Sequence, residues 1–182
     1  EMITGKMLLH AEDAQNIGIE GRGTIDGGGD TWVEGPYGSP SFHFRPRLLS
    51  FVGCENVQVR GVTIRNSASW TLSFRECRDV VLEGFRIETR ENPDIEKPRF
   101  AVARGRNNDG VDLIDCQAVR MSNCFITSGD DAIVLKSWSP DGLCRDIAIT
   151  NCIVSSNASG IKIGTESAGA FEDIVVQNCT IF

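Results

Sequence analysis

Apolar and polar residues alternate along this chain in short bursts, and the bursts recur. A nine-residue template (Asn or Asp, apolar, any, apolar, any, Gly or Asn, small apolar or Cys, any, apolar) starts six times, at Asn16, Asn56, Asp79, Ala118, Asp146 and Asp173. NVQVRGVTI from Asn56, DVVLEGFRI from Asp79, DIAITNCIV from Asp146 and DIVVQNCTI from Asp173 are clear copies, whereas the first copy puts Arg22 and Thr24 at apolar places. Starts lie 40, 23, 39, 28 and 27 residues apart, which is a repeat in the twenties interrupted by two insertions.

The period-two alternation at the front of each copy, as in Val57 and Val59 or Ile147 and Ile149, predicts a strand with one buried face. The sixth position is always Gly or Asn (Gly21, Gly61, Gly84, Asn123, Asn151, Asn178), the residues that enter left-handed backbone most cheaply. That chemistry predicts a corner rather than a hairpin, with a second alternation following it at once, as in Cys124 and Ile126. A further strand lies between copies: WTLSF from Trp70, GVDLI from Gly110, AIVLK from Ala132 and GIKIG from Gly160. No window shows a 3.6-residue period. Short strands joined by corners, without crossover helices, predict an all-β fold, a right-handed parallel β-helix, as a single domain over residues 1–182 whose coils stack as a solenoid.

The cysteines fit this scheme. Cys54, Cys77, Cys116 and Cys144 precede the template, and Cys124, Cys152 and Cys179 share its seventh position, so both sets are expected as columns of reduced core thiols. No CxxC pair or Cys/His cluster signals zinc, and neither GxGxxG nor a P-loop signals a cofactor, so no metal and no cofactor is expected. The net charge of −7 disfavours nucleic acid and anionic membrane as partners. The start, EMITGKMLLH, has no signal-peptide pattern, and no apolar run is long enough to span a membrane. His10 and His43 carry no partner motif and are assigned no role. Two insertions, Gly27 to Arg47 and Glu91 to Arg106, are expected to wall a binding face.

Aligning coils by their templates sets Trp70 and Asp109 each seven residues before a cysteine, Cys77 and Cys116. Matching the strands then puts Asp109 beside Asp131, 22 residues later, and Asp131 beside Ser159, 28 residues later. Trp70, Asp109, Asp131 and Ser159 are therefore expected as an outward column on rungs about 4.8 Å apart, with Asp130 next to Asp131. Carboxylates this close repel, which raises the pKa of at least one and lets it hold a proton near neutral pH. Asp112 is expected to be an outward, solvated residue rather than a catalytic one, and Lys136 to pair with the acidic cluster, to sit on the surface or to meet a uronate carboxylate. Trp70 is expected either as a sugar-stacking platform or as a cap on the core. Lys162 is either a plain surface residue or a contact for a uronate carboxylate.

NNDGVD followed by GDDAIVLKS, together with GRGTIDGGG near Arg22 and NSASWTL near Trp70, resembles glycoside hydrolase family 28, the polygalacturonase family of pectin-degrading β-helix enzymes. The resemblance covers essentially the whole chain from about Gly21. It implies a pectic polysaccharide as substrate, a secreted or periplasmic location and a monomer. By motif it implies Asp130 as general acid and Asp109 and Asp131 as the pair that positions and deprotonates water; beside them, from their places on the same face, Trp70, Ser159 and Lys162 are expected as substrate-binding residues. The implied outcome is inversion, with carboxyl groups roughly 6.5–9.5 Å apart. Two departures stand out: Ala158, Ser159 and Gly160 occupy the place where many members carry Gly-His-Gly, and the Arg-x-Lys motif that grips the substrate would fall beyond Phe182. With little sequence before the first coil, the chain is expected to be part of a longer β-helix. A polysaccharide lyase holding Ca²⁺ through acidic oxygens, or a non-catalytic glycan-binding β-helix, are the alternative readings.

Overall fold

The computed structural model describes residues 7–29, 45–89 and 107–182. Six coils of three strands follow one another. The first coil has β1 (Met7–Glu12), β2 (Gln15–Glu20) and β3 (Thr24–Asp26); the second has β4 (Arg47–Val52), β5 (Glu55–Arg60) and β6 (Thr63–Arg65). The third has β7 (Leu72–Arg75), β8 (Arg78–Glu83) and β9 (Arg86–Glu88); the fourth has β10 (Val111–Ile114), β11 (Gln117–Ser122) and β12 (Phe125–Ser128). The fifth has β13 (Ile133–Lys136), β14 (Leu143–Thr150) and β15 (Ile153–Ser156); the sixth has β16 (Ile161–Ile163), β17 (Ala170–Gln177) and β18 (Thr180–Ile181).

First strands pair only with first strands, second with second and third with third, giving three six-stranded parallel sheets in coil order. The described residues contain no α-helix. The chain is thus a parallel β-helix, right-handed as parallel crossovers almost always are. The expected positions of the two insertions against the cleft concern residues 30–44 and 90–106, which lie outside the described residues, as does His43.

The template's second position is in register through all six coils: Ile17 pairs Val57, Val57 pairs Val80, Val80 pairs Val119, Val119 pairs Ile147 and Ile147 pairs Ile174. Inward side chains of the middle coils, such as Leu72, Leu113 and Ile133, are fully buried because a rung above and a rung below cover them. Phe51 and Phe74 stack across two rungs with ring centroids 5.0 Å apart. In the end coils the same positions have cover on one side only, and Leu9 and Ile163 remain 47% and 59% exposed. All seven cysteines are free and six are buried, in the two columns the repeat predicts. Each thiol reaches a backbone carbonyl, as Cys77 Sγ does with Arg75 O at 3.3 Å.

The corner at the sixth position is as predicted, with positive φ at Gly21, Gly61, Gly84, Asn123, Asn151 and Asn178. A second left-handed site was not anticipated. The first template position also has φ between 52 and 57° in every coil, at Asn16, Asn56, Asp79, Ala118, Asp146 and Asp173. This accounts for the Asn/Asp preference there, since a short polar side chain tolerates that region, and such side chains can also bond from rung to rung, as Asn56 Nδ2 does to Asn16 Oδ1 at 2.8 Å. Ala118 has the strain without that relief. Ala118→Asn is expected to stabilise the fold by about 1 kcal/mol, read as a higher denaturant midpoint at unchanged m-value.

Candidate active site

The first sheet brings the acidic motifs together. Val111 pairs Leu72 on one side and Ile133 on the other, and Ile133 pairs Ile161. Carried two residues back, these offsets align Trp70, Asp109, Asp131 and Ser159, and the ladder bonds Thr71 N to Asp109 O (2.9 Å), Gly110 N to Asp131 O (2.9 Å) and Ala132 N to Ser159 O (2.8 Å) run through that column. The predicted column is therefore present. Gly110 is required next to it, because a Cβ there would meet the Ala132 carbonyl and Ile126 Cγ2.

Each carboxylate is held differently. Asp130 Oδ1 accepts the Asp131 N–H and Oδ2 accepts the Asn107 N–H, both at 2.9 Å. Its carbonyl is fastened by two hydroxyls from the third sheet, Ser128 Oγ at 2.5 Å and Ser156 Oγ at 2.7 Å. Asn108 ties the other motif down by donating from Nδ2 to Thr89 O at 2.6 Å. Asp131 Oδ1 accepts the Ser159 N–H at 3.1 Å, and its Oδ2 accepts Lys162 Nζ at 2.7 Å. Ser159 thus contributes its backbone, and the Lys162 ammonium is paired with Asp131.

Asp109 is 4% exposed and its Oδ1 has no hydrogen-bond partner. Burial, then the charges of Asp130 and Asp131, push its pKa up from 3.8 to about 7, against the pull of Lys136. The direction is the one that clustering predicted, but its largest cause is burial.

Asp112 differs from expectation. It faces outward from the sheet, yet it is fully buried, and neither carboxylate oxygen has a partner. Burial, followed by the Asp109 charge, holds its pKa well above the usual range, so it is a buried carboxyl rather than the solvated residue expected.

Trp70 is buried. It is 7% exposed and lies outside the apolar core cluster, with the Arg47 guanidinium 3.9 Å above its ring, Lys136 Nζ at 5.0 Å and Trp138 tilted against it at 6.2 Å. Arg47 Nε and Nη2 are buried without a hydrogen-bond partner, and burial lowers its pKa to about 10. Arg47, Trp138 and Glu166 were not singled out from the sequence. For Arg47 the signal was present: it stands seven residues before Cys54, the same offset that located Trp70 and Asp109. Lys136 pairs with Glu166 at 3.3 Å, and its charge also acts on Asp109 and Asp112. Among the described residues no group of three His, Cys, Asp or Glu is placed to hold a metal ion, and no helix is long and apolar enough to cross a membrane.

Residues 3–182 match the family described as Glycosyl hydrolases family 28. A probable polygalacturonase of Arabidopsis thaliana is 30% identical over 92% of this chain and 32% of its own length. A probable polygalacturonase of Vitis vinifera is 27% identical over 92% of this chain and 33% of its own. The crystal structure of an exopolygalacturonase from Thermotoga maritima superposes with a TM-score of 0.76 at 24% identity, over 93% of this chain and 45% of that one. The chain therefore spans about a third of the length of the curated relatives it matches. With the family matched over nearly every residue and the fold shared, the chain belongs to glycosyl hydrolase family 28.

Proposed function

We propose that this chain contributes the catalytic coils of a glycoside hydrolase that cleaves a pectic, galacturonic-acid-containing polymer by a single displacement with inversion. One observation carries the reading: a cluster of carboxylates on neighbouring rungs that keeps a proton up to about pH 7. In a coupled cluster that proton belongs to the group rather than to one residue. In the free site it rests on Asp109. Asp130, the half-buried member, delivers it to the glycosidic oxygen as the bond to the anomeric carbon breaks. Water attacks the opposite face and gives a proton to Asp131, with Asp109 assisting, so one proton leaves the cluster and one returns.

Trp70 and Ser159 border the carboxylates on the rungs to either side and would line the sugar path. Arg47 on the face of Trp70, with donors unspent, suits the carboxylate of a uronic acid. The same reading carries a secreted or periplasmic location and a monomeric working form.

The test is a reducing-end assay over a panel of pectic polymers, using the polypeptide that carries these 182 residues, with the product anomer followed by NMR. New reducing ends with inverted configuration are expected. Retained configuration would overturn the single displacement. An ultraviolet-absorbing unsaturated product, abolished by EDTA, would mark a lyase instead, and binding without cleavage would mark a glycan-binding module.

A further inference from the structure

Lys162 sits on β16, one rung beyond Asp131, where Val134 pairs with it. From there its side chain runs back along the sheet to place Nζ 2.7 Å from Asp131 Oδ2. The other oxygen, Oδ1, takes the Ser159 N–H at 3.1 Å from the same rung. Both oxygens of one carboxylate are thus gripped from the sixth coil, by a backbone donor and an ammonium three residues apart. The Asp131 side chain is 7% exposed and the Lys162 side chain 32%, so this is a pair with one nearly buried partner rather than a surface ion pair.

We propose that Lys162 is a positioning residue for Asp131: its ammonium, together with the Ser159 N–H, fixes the carboxylate's orientation by holding both of its oxygens. The groups acting on this pair are Asp109 and Asp130, which with Asp131 also act on the Lys162 ammonium. Behind them stand the buried Asp112, Lys136, whose charge acts on Asp109 and Asp112, and Arg47, whose charge acts on Asp112. Among these groups, Lys162 is the cation in direct contact with Asp131. Lys162 therefore acts through Asp131 and need not touch the sugar. Its ammonium is committed to that carboxylate, and the pairing holds its own pKa up.

The inference rests on the hydrolase reading for its kinetic consequence, and the experiment separates the two. Lys162→Met and Lys162→Arg are made in the polypeptide that carries these residues and compared on the pectic polymer that the native protein cleaves. Lys162→Met is expected to lower kcat at least tenfold with KM changed less than threefold. It is also expected to move the acid limb of the kcat/KM profile up by about one pH unit, because an opposite charge beside the base has gone. Lys162→Arg keeps a cation and is expected to restore the position of that limb.

A rise in KM alone would overturn the proposal and make Lys162 a substrate contact, as would an acid limb that stays in place when kcat falls. If the native protein releases no reducing ends, the hydrolase reading fails while the pairing is still decided by NMR. The Asp131 ¹³Cγ resonance should then titrate at higher pH in Lys162→Met than in the native chain. Equal midpoints would sink the positioning role.

Discussion

Asp130→Asn lowers kcat on the preferred pectic polymer about 10³-fold, or about 4 kcal/mol of transition-state stabilisation, with the fold intact. The amide is nearly the same size and retains one oxygen acceptor, so it forfeits one of the two backbone contacts at 2.9 Å and the proton. The stability cost of that contact is about 1 kcal/mol. A second readout follows from the electrostatics. The Asp130 charge is, after burial, the largest cause raising the Asp109 carboxyl, so its removal shifts the pH dependence of stability to lower pH even where no substrate is present. Near-normal turnover by Asp130→Asn would remove it from the role of acid. A lost circular-dichroism signature would show that Asp130 is structural, and the unchanged anchoring of its carbonyl by Ser128 and Ser156 argues for a retained fold.

Asp109→Asn makes the protein more stable at neutral pH while eliminating activity. The native carboxyl has its pKa raised from 3.8 to about 7, so between those values the folded state binds more protons than the unfolded state. Stability therefore falls as pH rises from about 4 to about 7, then levels off, and the full loss is on the order of 4 kcal/mol at about 1.4 kcal/mol per pH unit. An uncharged amide does not ionise and escapes that loss. Thermal denaturation of Asp109→Asn is expected to match the native protein near pH 4 and to exceed it by a few kcal/mol at pH 8, less the cost of an amide N–H left without a partner. The residual slope belongs to Asp112, raised in the same direction and for the same leading reason, burial. A variant no more stable than the native chain at pH 8 would show that Asp109 is not the strained member of the cluster. The same residue then illustrates why an active site is an unfavourable place to bury charge: the proton it keeps for chemistry is one the fold would rather not give up.

Much of this architecture was legible because its causes are local. Alternation at Val57 and Val59 puts apolar side chains on one face of a strand whatever the neighbours are. Gly61 and Asn123 turn corners because their backbone reaches left-handed φ at low cost. Once those two rules set the coil length, the alignment of Asp109 with Asp131 is arithmetic, and the structure has that register. The left-handed residue at the head of each template was written in the sequence as well, but Ala118 hid it by breaking the Asn/Asp pattern.

What the sequence by itself determined is the solenoid, its strands and corners, the cysteine columns and the gathering of Asp109, Asp130 and Asp131, because each follows from periodicity and backbone preference over a few residues. Tertiary structure alone decided the electrostatic character of those groups. Asp112 reads as a solvated outward residue by alternation, yet it is fully buried, and that burial holds its pKa well above the usual carboxylate range. Lys162 reads as either a surface residue or a contact for a uronate carboxylate, yet its ammonium is 2.7 Å from a carboxylate of the chain itself, 31 residues earlier. Burial and charge pairing depend on which side chains from distant coils lie over a given atom, and that is a property of the stacked rungs rather than of any one strand.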